Sequence, residues 1–360
     1  MPESIKTLID QLASPTTVIV LSTVLLFALL RFRNIFASVP FGVVSLVSFI
    51  VFYVLSMADE DFRLIVTKGD NVPITIMLLL LGISTWVAFR EMKRTDDAMD
   101  AGETPRCVVE GGQKVFVWPD LVYIELIAAV LVGAFLTAWS VGIDAPLEQP
   151  ASPTNSPNPA KAPWYFLGLQ EMLVYFDPWL AGVVFPTFIL VGLMAIPYID
   201  TNPKGNGYYT FNERPFAIGF FLFGFIILWV VLIIMGTFLR GPNWNFFGPY
   251  EYWDAHASVP LVNVNLSEFF WLRWLEKPLP GSILLREAPG ILVTLGYFVA
   301  GPAIMQFTLF KKYAEKMGPA RFAIFAILFL CMVSLLIKMV LRWAFNLKYI
   351  IAIPEFFLNV

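Results

Sequence analysis

The sequence has 360 residues, of which 58% are hydrophobic and only 14% are charged, with a formal net charge of −3. A soluble domain carries about 25% charged residues, so this composition excludes an ordinary soluble protein and predicts an integral membrane protein. One histidine, His256, and two distant cysteines, Cys107 and Cys331, are present. Because no CxxC, CxxCH or paired metal spacing occurs, we expect no haem c, iron–sulfur, zinc or other metal site in this chain. A single histidine also cannot supply both axial ligands of a bis-histidine haem.

Eight hydrophobic runs predict membrane-spanning helices, most of them near the ~20 residues that a bilayer requires. In chain order these runs are 17–30, 37–57, 72–89, 121–141, 179–198, 215–239, 288–310 and 320–344. The predicted fold class is therefore an all-α, polytopic transmembrane helical protein. We expect five regions: a three-helix N-terminal extension (1–90), a polar linker (91–118), a central region (119–240), an aromatic loop (241–287), and two C-terminal spans with a tail (288–360).

Basic residues predict which side of the membrane each loop occupies. If the linker is cytoplasmic, 13 of the 24 Lys and Arg residues fall in four short cytoplasmic segments. The remaining basic residues are spread over longer loops and both tails. The positive-inside rule then places both termini, the 240–286 loop and the segment around Trp164 on the outer side.

The stretch from Asn158 to Met172 is the most informative segment of the chain. A Pro- and Ser-rich approach, 150–159, leads into the run Pro163-Trp164-Tyr165-Phe166, and a hydrophobic span lies on each side. This pattern predicts a short interfacial helix on the outer face, with Glu171 as its one acid.

An ordered set of short motifs resembles the C-terminal half of cytochrome b, which is subunit IV in the cytochrome bc1/b6f family. The set is Pro119-Asp120-Leu121-Val122-Tyr123, Pro163-Trp164-Tyr165-Phe166, Ile196-Pro197-Tyr198-Ile199-Asp200 and Asn212-Glu213-Arg214-Pro215-Phe216. The resemblance covers about 119–239. It implies that Pro163, Trp164, Tyr165, Phe166 and Gln170 line the outer quinol-oxidation pocket.

One position departs from the family pattern. The family has Pro-Glu-Trp-Tyr, whose Glu accepts a proton from quinol, whereas this chain has Ala162-Pro163-Trp164-Tyr165. Glu171 is the candidate catalytic base in its place, although eight helical residues separate it from Pro163 by about 12 Å. The alternative is that Glu171 points into water. Glu125, an acid near the start of the fourth span, is a candidate proton-path residue or an interfacial charge.

The resemblance implies a membrane subunit of a quinol:cytochrome c oxidoreductase that oxidises quinol and releases protons on the outer side. Its cofactors would be a quinol, with menaquinol as one candidate, and haem b bound by a partner subunit. The implied partners are that haem b subunit, Rieske-type iron–sulfur and cytochrome c subunits and membrane lipid, in an oligomeric and conceivably dimeric complex. The implied location is the bacterial inner membrane.

Two other functions stay open from the sequence. A secondary transporter or ion-conducting subunit would have acids or glycine breaks near the middle of several spans, often in repeated pairs, and none is visible. A non-catalytic scaffold subunit would fit the loss of the family acid. His256 fits an ordinary surface residue of the aromatic loop, whose tryptophans fit an interfacial belt or a docking surface for a partner.

Overall fold

The computed structural model describes residues 2–144, 147, 150–203 and 209–360, apart from the side chain of Cys107. The described chain is 70% helical with almost no strand, which confirms the predicted all-α membrane fold. The helices are α1 (Glu3–Leu12), α2 (Pro15–Arg31), α3 (Arg33–Phe36), α4 (Val39–Ser56), α5 (Glu60–Val66), α6 (Asn71–Asp100), α7 (Arg106–Gly111), α8 (Val117–Gly142), α9 (Leu167–Met172), α10 (Leu180–Ile199), α11 (Pro215–Leu239), α12 (Leu266–Glu268, continued by Phe269–Trp274), α13 (Ile283–Arg286), α14 (Ala288–Phe307), α15 (Lys311–Met317) and α16 (Pro319–Phe345).

Seven of these helices are long and apolar enough to cross a membrane: α4, α6, α8, α10, α11, α14 and α16. The count rises to eight if α1 and α2, which meet at an angle of 79°, form one bent span. The bend falls at Ser14-Pro15, where the sequence predicts the end of an amphipathic lead. Proline fixes φ and lacks an N–H donor, so a new helix begins there instead of continuing the first.

Helix α6 extends further than its apolar run. It continues past Phe89 to Asp100, so the predicted boundary between N-terminal extension and linker at Arg90 lies inside a helix. Ion pairs at helical spacing, Lys93 with Asp97 and Arg94 with Glu91, stabilise this polar end. The helix then ends before Gly102, which has a φ of 73°. The polar residues after Phe89 indicate where α6 leaves the apolar layer of the membrane, whereas Gly102 indicates where the helix ends.

Helix α11 lies at the centre of the main core. Its residues Ile227, Leu232 and Met235 are completely or almost completely buried. They pack with residues of α2, α6, α10, α16 and the segment that follows α9. The C-terminal tail forms a small antiparallel hairpin, with β1 (Ala352–Ile353) paired to β2 (Leu358–Asn359).

Loops that the sequence assigns to one side of the membrane contact one another. On the predicted outer side, Lys6 forms an ion pair with Asp59 at 2.8 Å, and the hydroxyls of Ser56 and Tyr250 are 2.7 Å apart. On the opposite side, buried Asp96 of α6 accepts a 2.6 Å hydrogen bond from Thr210. The N-terminal helices are therefore anchored at one end to the aromatic loop and at the other end to the connection between α10 and α11.

Helix α8 is different, because none of its residues is buried. Every other spanning helix buries part of its surface within the described chain. Its large apolar side chains, from Ile124 to Trp139, are all more than half exposed. Within the part of the chain that the structure describes, this span has no packed helical neighbour.

Candidate functional site

The short segment around Trp164 folds as the sequence predicts, in two steps. A 3₁₀ turn, Trp164–Phe166, follows Pro163 and leads into α9. Pro163, which precedes the 3₁₀ turn, restricts the backbone conformation of the chain as it enters α9. The next helix begins at Asp177-Pro178. Between them α9 lasts little more than one turn, so packing against neighbours must hold it in place.

Glycines allow α9 to lie directly on α11. A Cβ atom added at Gly236 of α11 would be 3.2 Å from the carbonyl oxygen of Leu167. On the facing side, Gly168 approaches the side chains of Leu232 and Ile233. Leu167, Gly168, Glu171 and Met172 are buried by this contact. The side chains of this face therefore point into the protein and not into water.

Glu171 is fully buried and forms an ion pair with Arg240, the residue that follows α11. The guanidinium donates from Nε to Oε2 at 2.9 Å and from Nη2 to Oε1 at 2.7 Å. The hydroxyl of Tyr175 adds a third hydrogen bond to Oε1 at 3.1 Å. This arrangement overturns the alternative that Glu171 points into water. The ion pair and the Tyr175 hydrogen bond compensate the negative charge of Glu171, whose burial would otherwise cost a large desolvation free energy.

Arg240 is held from the other side as well. Its Nη1 donates to the carbonyl oxygen of Trp244 at 2.8 Å, and its guanidinium lies 4.3 Å from the ring centre of Phe246. A planar guanidinium can form two parallel hydrogen bonds and stack on an aromatic ring at the same time, which an ammonium cannot do. The pair therefore ties α9 to the start of the aromatic loop. Burial, together with the Glu171 charge, raises the pKa of Tyr175 well above its ordinary value.

The side chain of Gln170 clamps the approach to the short helix. Its Oε1 accepts from the backbone N–H of Ala162 at 2.8 Å, and its Nε2 donates to the carbonyl of Ala160 at 2.9 Å. The residue between them, Lys161, donates from Nζ to the carbonyl oxygen of Thr237 at 2.7 Å. Burial, with the charges of Lys68 and Arg240, lowers the pKa of Lys161 to about 7.

Residues 150–251 match the family model described as cytochrome b (C-terminal)/b6/petD. The matched segment is similar to the C-terminal part of cytochrome b. The resemblance predicted from the motifs is thereby confirmed, over less than a third of the chain. The match contains α9, α10, α11 and Arg240, whereas α8 and the other spanning helices lie outside it. No solved structure matches the chain.

This match supports a membrane subunit of the bc1/b6f type in general. Such subunits belong to oxidoreductase complexes that bind quinone and contain haem. The match together with the spanning helices makes the protein a multi-pass membrane protein.

The aromatic edge of the cytochrome b C-terminal segment faces outward. Tyr165 and Phe166 are each 49% exposed, and Pro163 is also exposed. Trp164 is partly buried and packs edge-on against Trp229 of α11, with ring centres 6.2 Å apart. One side of the short helix is therefore fixed to the protein, while the other presents aromatic surface.

The structure brings the predicted site residues together with one exception. Glu125 lies near the start of α8, exposed, and 17 residues before the end of that helix at Gly142. At ~1.5 Å per residue this separation is about 26 Å, so Glu125 lies far from the end of α8 that leads towards the short helix. His256 is exposed in the aromatic loop, and its backbone N–H binds the carboxylate of Asp254.

Two functional candidates were missed from the sequence, Arg240 and Lys161. Arg240 directly follows a 25-residue apolar span, where a basic residue ordinarily marks only the membrane interface. Lys161 stands among prolines in a polar approach, where lysines are usually solvated. The signal that could have revealed the Glu171–Arg240 ion pair was Glu171 itself, because a buried acid requires a cation.

Proposed function

We propose that this chain is the subunit of a quinol:cytochrome c oxidoreductase that forms one wall of the outer quinol-oxidation pocket. The observation that supports this most directly is the family-matched short helix, held by the Glu171–Arg240 ion pair, with the ring edges of Tyr165 and Phe166 exposed. A quinol ring is flat and apolar with a hydroxyl at each end. Aromatic walls with a few polar groups suit such a ligand.

A separate haem b subunit completes the pocket in this proposal. Helix α8 supports it, because a membrane-spanning helix without a packed neighbour in the described chain offers its whole surface to another protein or to lipid. The single histidine in the sequence supports it further, since two b-type haems with histidine ligands need four. Iron–sulfur and cytochrome c subunits are the remaining proposed partners.

Each residue of the segment has a proposed part. Pro163, Trp164, Tyr165 and Phe166 shape the wall against which the quinol ring lies. Gln170 fixes the approach through its two backbone hydrogen bonds. Glu171 acts through Arg240 and Tyr175 to hold α9 at a fixed distance from α11. Rigid support of this kind keeps reacting groups within the narrow range that catalysis requires.

The reaction removes two protons and two electrons from the quinol. Partner-bound haem b and an iron–sulfur centre would take one electron each. This chain would exclude water from one face of the quinol and provide a path by which protons reach the outer surface. We propose that the termini and the aromatic loop lie on that surface, in a bacterial inner membrane.

The proposal is tested on the intact complex. The chain is tagged and purified gently from its native membrane, its partners are identified, and the rate at which added quinol reduces haem b is measured. We expect a haem b spectrum, a partner with four helix-borne histidines, and quinol-dependent reduction. A colourless preparation with unrelated partners would contradict the proposal and favour the transporter function.

Two exposed tyrosines separate a pocket wall from a scaffold. Tyr165→Leu should slow quinol-driven haem reduction about tenfold, because it removes an exposed aromatic ring from the proposed wall. Tyr252→Leu, at a 75% exposed tyrosine in the aromatic loop, is the matched control and should have no effect. Equal rates in both variants, with an assembled complex, would support the scaffold function.

A further inference from the structure

The approach to the short helix contains a partly buried polar cluster, formed by Lys161, Thr237 and Trp253. The Lys161 ammonium lies 5.0 Å from the ring centre of Trp253 and binds the carbonyl oxygen of Thr237. The cluster joins three parts of the chain: the approach, the end of α11 and the aromatic loop. Lys161 and Thr237 lie outside the set of residues for which the sequence predicted a role.

Two buried polar atoms of this cluster have no hydrogen-bond partner among the described residues. They are the hydroxyl oxygen of Thr237 and the indole nitrogen of Trp253. Thr237 is completely buried. Buried polar groups in native proteins are paired with protein or with ordered water in more than about 90% of cases. Two unpaired groups on the two residues that contact the Lys161 ammonium therefore indicate a hydrated cluster, since each bound water needs two or more such partners.

The position of Lys161 is fixed relative to the proposed pocket. Gln170 binds the backbone on both sides of it, at Ala160 and Ala162. Lys161 is two residues before Pro163, so their Cα atoms are at most about 7.6 Å apart. Pro163 stands where the family pattern has its proton-accepting acid. A flexible four-carbon side chain can span much of that distance, and water can span the rest.

Glu171 is poorly suited to accept the proton itself. Both carboxylate oxygens are already bound, by Arg240 and Tyr175. Protonating this carboxylate would leave the Arg240 guanidinium buried without its counterion, which is strongly unfavourable. The ion pair is a positioning element, so another group must receive the proton.

We propose that Lys161 is the proton acceptor of the outer quinol pocket, reached through water held by Thr237 and Trp253. This rests on the proposed function. As the quinol gives one electron to the iron–sulfur acceptor of a partner, its O–H bond breaks and the proton passes through water to the free amine of Lys161. The resulting ammonium then releases the proton to the outer aqueous side, which restores the amine.

The charges around Lys161 are suited to this cycle. The groups that face it are Lys68 from the connector between α5 and α6, Arg240 from the end of α11, and Glu171 from α9. The two cations and burial favour the neutral amine, and with a pKa of about 7 both forms are populated near neutrality. A general base works best when its pKa lies near the working pH.

The test measures quinol-driven haem b reduction in the purified complex, with a short-chain menaquinol and ubiquinol, across about four pH units centred on 7. The wild-type rate should rise through an inflection near pH 7, because the free amine is the active form. Lys161→Met should lower the rate about 10²-fold and remove the inflection. Lys161→Arg keeps the charge but cannot lose a proton near pH 7, so it should be as slow as Lys161→Met.

Controls separate this inference from the proposed function. Lys277→Met, at an exposed lysine of the aromatic loop, should leave rate and pH profile unchanged. Subunit composition and the haem spectrum show whether each variant assembles. If Lys161→Met does not assemble, Lys161→Arg still tests the role, because it keeps a positive charge at this position.

If wild-type complex reduces haem b and Lys161→Arg retains both rate and inflection, the role of Lys161 is wrong while the proposed function stands. Wild-type complex that no quinol reduces would overturn both.

Discussion

Arg240 and Glu171 are 69 positions apart in the sequence, yet two hydrogen bonds of 2.7 and 2.9 Å join them inside the protein. One residue follows a spanning helix, and the other lies on a short helix between two spans. Their contact fixes the distance between these elements. It also explains how a segment too short to be stable alone can present a fixed aromatic surface.

Removing either partner should destabilise the complex. Glu171→Gln leaves a buried guanidinium without its counterion, and Arg240→Gln leaves a buried carboxylate. Losses of this kind cost about 3–5 kcal/mol. Thermal unfolding of the purified complex should show a lower midpoint for each single variant and a smaller further loss in the double variant, because the two changes share one interaction.

The same variants test the role that the sequence suggested for Glu171. A proton acceptor would lose quinol turnover in Glu171→Gln with the midpoint unchanged. A positioning residue would lose stability and turnover together. Additive losses in the double variant would contradict the coupling that the structure shows.

Close contact between α9 and α11 depends on Gly236. In Gly236→Val, the new side chain would meet the backbone of Leu167, which can yield only if α9 moves away. We expect slower quinol-driven haem reduction and faster proteolysis near residue 163. Gly182→Val in α10 is the control, because its added Cβ has open space around it. A variant at Gly236 with unchanged rate and proteolysis would show that the short helix tolerates displacement.

The C-terminal hairpin is held against α14 at one glycine. A Cβ at Gly290 would lie 2.0 Å from the carbonyl oxygen of Ile350, so even alanine requires the tail to shift. Arg286 and Glu287 bind the hairpin nearby, through Glu355 and the N–H of Ala352. Gly290→Ala should make residues after 345 sensitive to added protease. Gly296→Ala, in open space on the same helix, should not.

Asp96 holds the connection between α10 and α11 on the side opposite the short helix. Its carboxylate accepts hydrogen bonds from Thr210 and from the backbone N–H groups of Phe211 and Asn212. Asp96→Ala removes all of these acceptors and leaves the buried hydroxyl of Thr210 without its acceptor, at a cost of about 1–3 kcal/mol. Hydrogen exchange at 209–214 should accelerate. The neighbouring Asp97→Ala, which loses only an exposed pair with Lys93, should leave exchange unchanged.

Composition and hydropathy determined the fold class and the positions of the spanning helices. Transfer of apolar side chains out of water is a local property, so a run such as 215–239 can be recognised without knowing its neighbours. The motif order around Trp164 likewise predicted the cytochrome b C-terminal type, because that pattern also lies within one stretch of chain.

Tertiary structure alone decided what the polar residues do. Glu171 and Arg240 are far apart in sequence, and a hydropathy scale assigns each of them the free-energy cost of burying an unpaired charge. Only the packing of the folded chain shows that the two charges compensate each other. From the sequence alone, Lys161 is interpreted as a solvated lysine. Only the folded chain shows that it contacts the end of α11 and the aromatic loop. Helix α8 shows that hydropathy also cannot reveal which spanning helices pack against one another. Its sequence predicts a span like the others, but only the folded chain shows that it has no packed neighbour among the described residues.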